Sequence, residues 1–313
     1  MVPCPRPGAR AETYSRERIL TSVRVSNSEI APEAFYSSDG PDFVSSELTR
    51  GPWDADSQHA GPPSALIARA IERCSGLGAE EGQAPVVGRI TYEILRPVPI
   101  APLRVEVEVE RPGRRVDLVA ASLRESDSGR ELVKARAWRL RNGEVSIPPG
   151  LSSTDPGAPP AHAGRPGGEL GRPPGPETLP EAEAFFPTGF DVGYHTGVEY
   201  RFPSGSFVEP GPAVCWLRMR VPLIAGEEPS PLQRVLVAAD SGNGISATLD
   251  FNRYLFINVD LSVHLHRVPA GEWVCLDSLT IPEPNGQGLA DTMLWDEHGP
   301  LGRACQTLLI AER

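Results

Sequence analysis

The sequence predicts an α+β protein in which one structural programme is used twice, each half wrapping a curved antiparallel sheet around a helix. Three observations lead there. Apolar residues recur at helical spacing around residue 66 and again around residue 236, runs alternating with period two follow each helix, and the two stretches overlay with their alternation in phase.

A chain of 313 residues is too long for one small core and suits two domains or one doubled one. With 40% hydrophobic and 23% charged residues the composition is that of a globular protein. A net charge of -11 argues against a general nucleic-acid binder, because phosphate neutralisation supplies most of such affinity. Five scattered cysteines, with no C-x-x-C pair, argue against a disulfide framework and a zinc site. Neither a secretory leader nor a membrane-spanning run is read from the sequence, so a cytoplasmic location is expected.

Residues 1–31 read as a polar N-terminal extension and 32–142 as the first half. In "GPPSALIARAIERC", Leu66, Ile67, Ala70, Ile71 and Cys74 fall on one helical face, with Pro62 and Pro63 at the helix entrance, where a missing N–H is tolerated. "ITYEILRP", "RVEVEVE" and "VKARAWRL" then alternate as antiparallel strands with one buried face do. Residues 143–187 are rich in Pro, Gly and Ser and are expected to be a linker. The second half, 188–313, repeats the order with strands "GVEYRF" and "AVCWLRMRV", a helix at about 230–240, and four more strand-like runs. Setting Arg96 against Arg267 places Ile90, Tyr92 and Ile94 opposite Leu261, Val263 and Leu265.

"TRGPWDADSQHAGPPSAL", the sheet runs with "LRP" and "LHR", and "AADSGNGIS" with "FINVDLSVHLHR", "GEWVCLDS" and "GRACQTLL" resemble acyl-CoA thioesterases of the double hot-dog type, close to the thioesterase II group. The likeness covers roughly 32–142 and 188–313. It implies a homodimer acting on an acyl-CoA or acyl-carrier thioester, with no cofactor. It also implies a water held by an Asp on the second helix, a Thr or Ser opening the next strand and a Gln on the last strand. The matching positions are Asp240, Asn258 and Gln306, of which Asn258 departs in type.

The residues give partial support of their own. Gln306 interrupts the apolar row of Ala304, Leu308 and Ile310, and a buried amide without partners costs about 1–3 kcal/mol, so Asp240 is its expected partner. Under the repeat alignment Gln306 falls opposite Ala135 and Asp240 near Ala70, which favours one active centre per chain. Parity turns Asn258 away from the helix unless a bulge shifts the register. Asp240 would act as base or orienter of the water, and Gly61, whose N–H lies at the first-half helix N-terminus, would supply an oxyanion donor, with His59 orienting its loop. Arg96, Arg253 and Arg267 are the expected contacts for coenzyme A.

Two rival readings remain. Asp54 and His59 are five residues apart, the spacing of the acid and base of hot-dog enoyl-CoA hydratases, although the residues between them do not match that motif. A non-catalytic acyl-thioester-binding protein is the other, suggested by Asn258 standing in place of a hydroxyl. Asp260, His264 and His266 share a strand face but are not expected to bind a metal.

Overall fold

The computed structural model describes residues 33–77, 84–153, 172–182 and 188–313. The extension expected over 1–31 lies outside them. A short hairpin, β1 (Tyr36–Asp39) and β2 (Asp42–Ser45), leads to helix α1 (Gly61–Arg73) and four long strands, β3 (Val86–Ile94), β4 (Pro102–Arg111), β5 (Val116–Glu125) and β6 (Glu131–Leu140). The second half opens with a helical turn, α2 (Tyr194–Gly197), then β7 (Val198–Ser204), β8 (Ala213–Met219), helix α3 (Pro231–Ala239) and a further turn, α4 (Gly242–Ile245). It closes with β9 (Tyr254–Asn258), β10 (Asp260–Leu265), β11 (Trp273–Pro282), β12 (Gln287–Asp296) and β13 (Gly299–Glu312). Among the described residues no helix is long and apolar enough to cross a membrane.

Both main helices start where their sequences say they should. Pro62 and Pro63 occupy the first turn of α1, and Ser230 caps α3, its hydroxyl accepting the Gln233 N–H, with Pro231 as the first helical residue. α1 buries Leu66, Ile67 and Ile71 together with Ala65 and Ala68, while α3 buries Leu232, Val235, Leu236 and Ala239. The helices pack on each other, α1 also against β3, β4 and β5, and α3 against β8 and β11. Their apolar faces join one continuous core.

The strands form a single antiparallel sheet in the order β1-β2-β4-β5-β6-β3-β10-β13-β12-β11-β8-β7, with β9 paired to β13. The halves join at β3 and β10, where Ser262 pairs with Thr91, Leu261 with Tyr92 and Val263 with Ile90. Thr91 and Ser262 are also equivalent in the repeat alignment, so the seam lies at the local two-fold between the halves. Strand pairing corrects one equivalence drawn from sequence. Tyr92 pairs with Ala135 and Val263 with Ala304, so Gln306 corresponds to Ala137, two residues beyond Ala135 and on the same face.

Part of the expected 143–187 linker is held to the sheet. Trp216 Nε1 donates to Pro174 O at 2.8 Å, Arg201 Nη1 to Pro176 O at 2.9 Å, and Ala182 N to Tyr200 O at 2.8 Å. Carbonyls of a proline-rich segment remain free to accept such bonds. Residues 154–171 and 183–187 of that segment lie outside the described residues.

A buried ion pair fixes the end of α1. Arg139 on β6 grips Asp117 on β5 bidentately, Nε to Oδ1 at 3.0 Å and Nη2 to Oδ2 at 2.6 Å, and its Nη1 donates to Ile71 O at 3.0 Å and Cys74 O at 2.7 Å. The guanidinium therefore satisfies carbonyls that the helix end leaves unpaired. Arg139→Met should lower unfolding stability in urea by about 3–5 kcal/mol, because Asp117 is left buried and alone, and adding Asp117→Leu should recover part of that loss.

Candidate active site

The site forms where the N-terminus of α1 meets the C-terminus of α3. A Cβ on Gly61 would sit 2.3 Å from Val237 O, so only glycine lets the two helix ends come this close. At the far end of the pair, Glu72 of α1 accepts from Ser230 Oγ at 2.8 Å and from Gln233 Nε2 at 3.0 Å, which ties α1 to the first turn of α3. Burial pushes the Glu72 carboxyl up, with these two donors pulling against it.

Asp240 is the residue that ends α3, and it is 6% exposed. Its Oδ1 accepts from Asn258 Nδ2 at 2.7 Å and from Gln306 Nε2 at 3.1 Å, while Oδ2 lies 3.1 Å from His59 Nδ1. Gln306 reaches it from the inner face of β13, 2% exposed, and its orientation is fixed because its Oε1 accepts the Asn243 N–H at 3.1 Å. Its amide nitrogen also donates to the Asp240 carbonyl at 3.2 Å.

Asn258 reaches the site through a bulge. β9 pairs Asn258 with Leu308, whereas β10 pairs Ser262 with Cys305, a register one residue out of step. Val259 is the extra residue, and it turns Asn258 from the outer face to the inner one. Asp260 mends the interrupted ladder, its Oδ1 accepting the Thr307 N–H at 2.6 Å.

His59 comes from the other half and is 7% exposed. Its ring stacks on Tyr194, centroids 3.7 Å apart and planes within 5°, and Tyr194 in turn donates to Val237 O at 2.6 Å. Burial holds the imidazole below its ordinary pKa, and Asp240 draws it partly back. The contact between His59 Nδ1 and the Asp240 carboxylate is electrostatic and crosses from one half to the other. The Gly61 N–H donates to His59 Nδ1 at 3.1 Å.

A buried layer of hydroxyls lies beneath this group, with Ser246 Oγ 2.8 Å from Thr280 Oγ1 and Ser278 Oγ 2.9 Å from Thr292 Oγ1. Gly242 passes directly over it. The sequence reading missed Asn243, Tyr194 and this layer, although Ser278 and Thr280 continue the inward period-two row of Val274 and Leu276.

Other expected residues lie elsewhere. Asp54 is exposed and accepts the Asp56 N–H at 2.8 Å, so the carboxylate beside His59 is Asp240 and the Asp54–His59 pair does not form. Arg267 is committed to the nearly inaccessible Asp296, Nη1 to Oδ2 at 2.8 Å, and to the carbonyls of Gly299 and Pro300. Arg96 and Arg253 are exposed, Arg253 over the ring of Tyr254. Among the described residues no His, Cys, Asp and Glu cluster could hold a metal ion.

Two family models match the chain, the acyl-CoA thioesterase N-terminal domain over residues 49–140 and the acyl-CoA thioesterase C-terminal domain over residues 173–310. No curated protein matches it. Similar solved structures include a protein provisionally described as a thioesterase from Novosphingobium aromaticivorans, at 19% identity with 88% of this chain and 98% of that chain covered and a TM-score of 0.60. Another, provisionally described as a thioesterase II from Thermobifida fusca, shares 17% identity with 89% and 96% covered and a TM-score of 0.63. A hot-dog protein of unknown function from Alicyclobacillus acidocaldarius shares 14% identity with 89% and 97% covered and a TM-score of 0.62. At such identities the likeness is one of fold, and the fold is the hot-dog type.

A Cβ on Gly242 would lie 2.4 Å from Thr292 Oγ1 and 3.3 Å from Gln306 Oε1. Gly242→Ala should therefore cost about 1–3 kcal/mol in thermal unfolding through overpacking. Adding Thr292→Ala should return much of it by removing the opposing hydroxyl.

Proposed function

This chain belongs to the acyl-CoA thioesterase family and is a thioester hydrolase, and from that premise we propose that it cleaves acyl-CoA with a water held by Asp240, Asn258 and Gln306. In this reading each half is a hot-dog repeat around its own helix, α1 or α3, and the second repeat carries the base.

The observation that carries the mechanism is how the lone pairs of Asp240 are used. An ionised carboxylate offers about four acceptor positions. Asn258 and Gln306 fill those on Oδ1, and His59 faces Oδ2, which keeps one lone pair for a water. That water attacks the thioester carbonyl carbon as its proton passes to Oδ2. The carbonyl oxygen becomes an oxyanion, received by the Gly61 amide at the first turn of α1, where helix N–H groups lack helical acceptors. Collapse of the tetrahedral intermediate breaks the C–S bond, and Asp240 returns the proton to the departing sulfur, leaving a carboxylic acid and the free thiol. A thioester has a good leaving group, so an aligned water, a base and an oxyanion donor suffice.

Asn258 replaces a hydroxyl of the resembled family without losing the function assigned to that position here, because its amide donates to Asp240. That favours hydrolysis over mere acyl-thioester binding. Exposed Arg96 and Arg253 remain the proposed contacts for the coenzyme A phosphates.

Release of free thiol from a panel of acyl-CoAs of different chain length tests the reading. Asp240→Asn should lower kcat about a thousandfold, the scale of a general base, and Gln306→Ala about ten- to a hundredfold, both with the fold retained by circular dichroism. Unchanged thiol release in both variants would rule out the proposed water. Asn258→Ala should cost about tenfold and Asn258→Thr less, the difference being one hydrogen bond to the base.

A further inference from the structure

The bulge that brings Asn258 into the site diverts one backbone carbonyl, and a side chain takes that carbonyl's place. In an unbroken ladder continued from the Asn258–Leu308 pair, Val259 would face Thr307 and the two would exchange both N–H···O bonds. Only half of that exchange is made. Val259 N donates to Thr307 O at 3.0 Å, but Val259 O is turned to the other side and accepts the Ile94 N–H of β3 at 2.9 Å. Asp260 Oδ1 accepts the Thr307 N–H instead, at 2.6 Å, and the Thr307 hydroxyl donates to Oδ2 at 3.3 Å. The position otherwise disfavours an acid. Aspartate is depleted in strands, and Asp260 lies directly opposite Glu93 of β3, a like-charge pair that weakens a sheet.

We propose that Asp260 is a positioning residue of the thioesterase site, holding the chain in the bulged register and so keeping Asn258 turned inward to Asp240. The proposal rests on the reading of Asn258 as a holder of the attacking water and deepens it. A regular ladder would return Val259 O to the Thr307 N–H, and a one-residue change of register turns Asn258 to the outer face, away from Asp240. Asp260 removes the drive for that return by giving Thr307 an acceptor of its own. Val259 O is then left to Ile94 of the first half, so the same exchange of partners ties the seam between the halves to the amide that donates to the base. Asp260 belongs to the outer row of β10, opposite in parity to the buried Leu261 and Val263, and acts on the site through Asn258.

The test is a double-mutant cycle on the full-length chain, read by thiol release from an acyl-CoA. Asp260→Ala should lower kcat about tenfold, as Asn258→Ala does, with KM within about threefold of the parent. Asp260→Asn should keep kcat within about threefold, because its amide oxygen can accept the Thr307 N–H and the Thr307 hydroxyl can turn to accept from its nitrogen. With Asn258→Ala already in place, adding Asp260→Ala should cost less than about twofold more, since the group it positions is gone. A further tenfold loss in that background, or Asp260→Asn no better than Asp260→Ala, overturns the proposal. Amide hydrogen exchange reads the bulge without turnover. Ile94 should exchange at least about tenfold faster in Asp260→Ala and at the parent rate in Asp260→Asn, although Ile94 is bonded to Val259 and not to Asp260. Unchanged Ile94 exchange in Asp260→Ala also overturns the proposal. A fully active Asn258→Ala would remove the water reading of Asn258, and Ile94 exchange would still decide whether Asp260 holds the bulge.

Discussion

Asp240 is buried at the C-terminal end of α3, where exclusion from water and the partial negative charge of the helix both oppose an anion. Much of the surrounding structure answers that cost. Two amides, Asn258 and Gln306, donate to one oxygen, and His59 lies against the other. A further compensation is that α3 ends against the start of α1. The positive end of one helix faces the negative end of the other, and Asp240 sits between them near the Gly61 N–H and the ring of His59. The end of α3 alone would be a poor place for a carboxylate, but the junction of the two helices is a good one.

That junction depends on features far from the chemistry. The β3–β10 seam joins the two halves of the sheet, so α1 and α3 pack as neighbours across it. Glu72 locks the other end of the helix pair through Ser230 and Gln233, and Glu227 is held bidentately by Arg69 of α1, at 2.8 Å and 2.7 Å. With the far end fixed, the missing side chain of Gly61 sets the separation at the site. Any larger residue there would push the backbone of α1 away from Val237 O and take His59 with it.

The fold was legible in the sequence because burial imposes a period, and two periods in succession, repeated, leave few architectures open. Gln306 was legible for a related reason, as a polar residue on a face that its period says is buried, and Asp240 through the family resemblance and as the expected partner of that buried amide. Asn258 was not, since parity gave the wrong face and only the extra residue Val259 corrects it, a change in strand pairing that leaves no mark in the alternation itself. The partner of His59 was invisible for a different reason. Asp54 is five residues away and Asp240 is in the other half, and no local rule makes the distant carboxylate the nearer one in space. Arg267 illustrates the limit for charges, because exposure cannot be read from an arginine whose partner, Asp296, is two strands away.

The two halves also show how one architecture treats buried charge in two ways. In the first, Asp117 and Arg139 are both fully enclosed, and every donor named on the guanidinium is matched to a carboxylate oxygen or a helix-end carbonyl. Such a pair closes its own valences and offers nothing to a substrate. In the second half the buried carboxylate of Asp240 is met by two side-chain amides and an imidazole in place of a guanidinium. This difference in partners, more than the difference in position, sets the two buried acids apart: Asp117 is closed into an ion pair, and Asp240 is held by side-chain amides, the arrangement on which the proposed water activation rests.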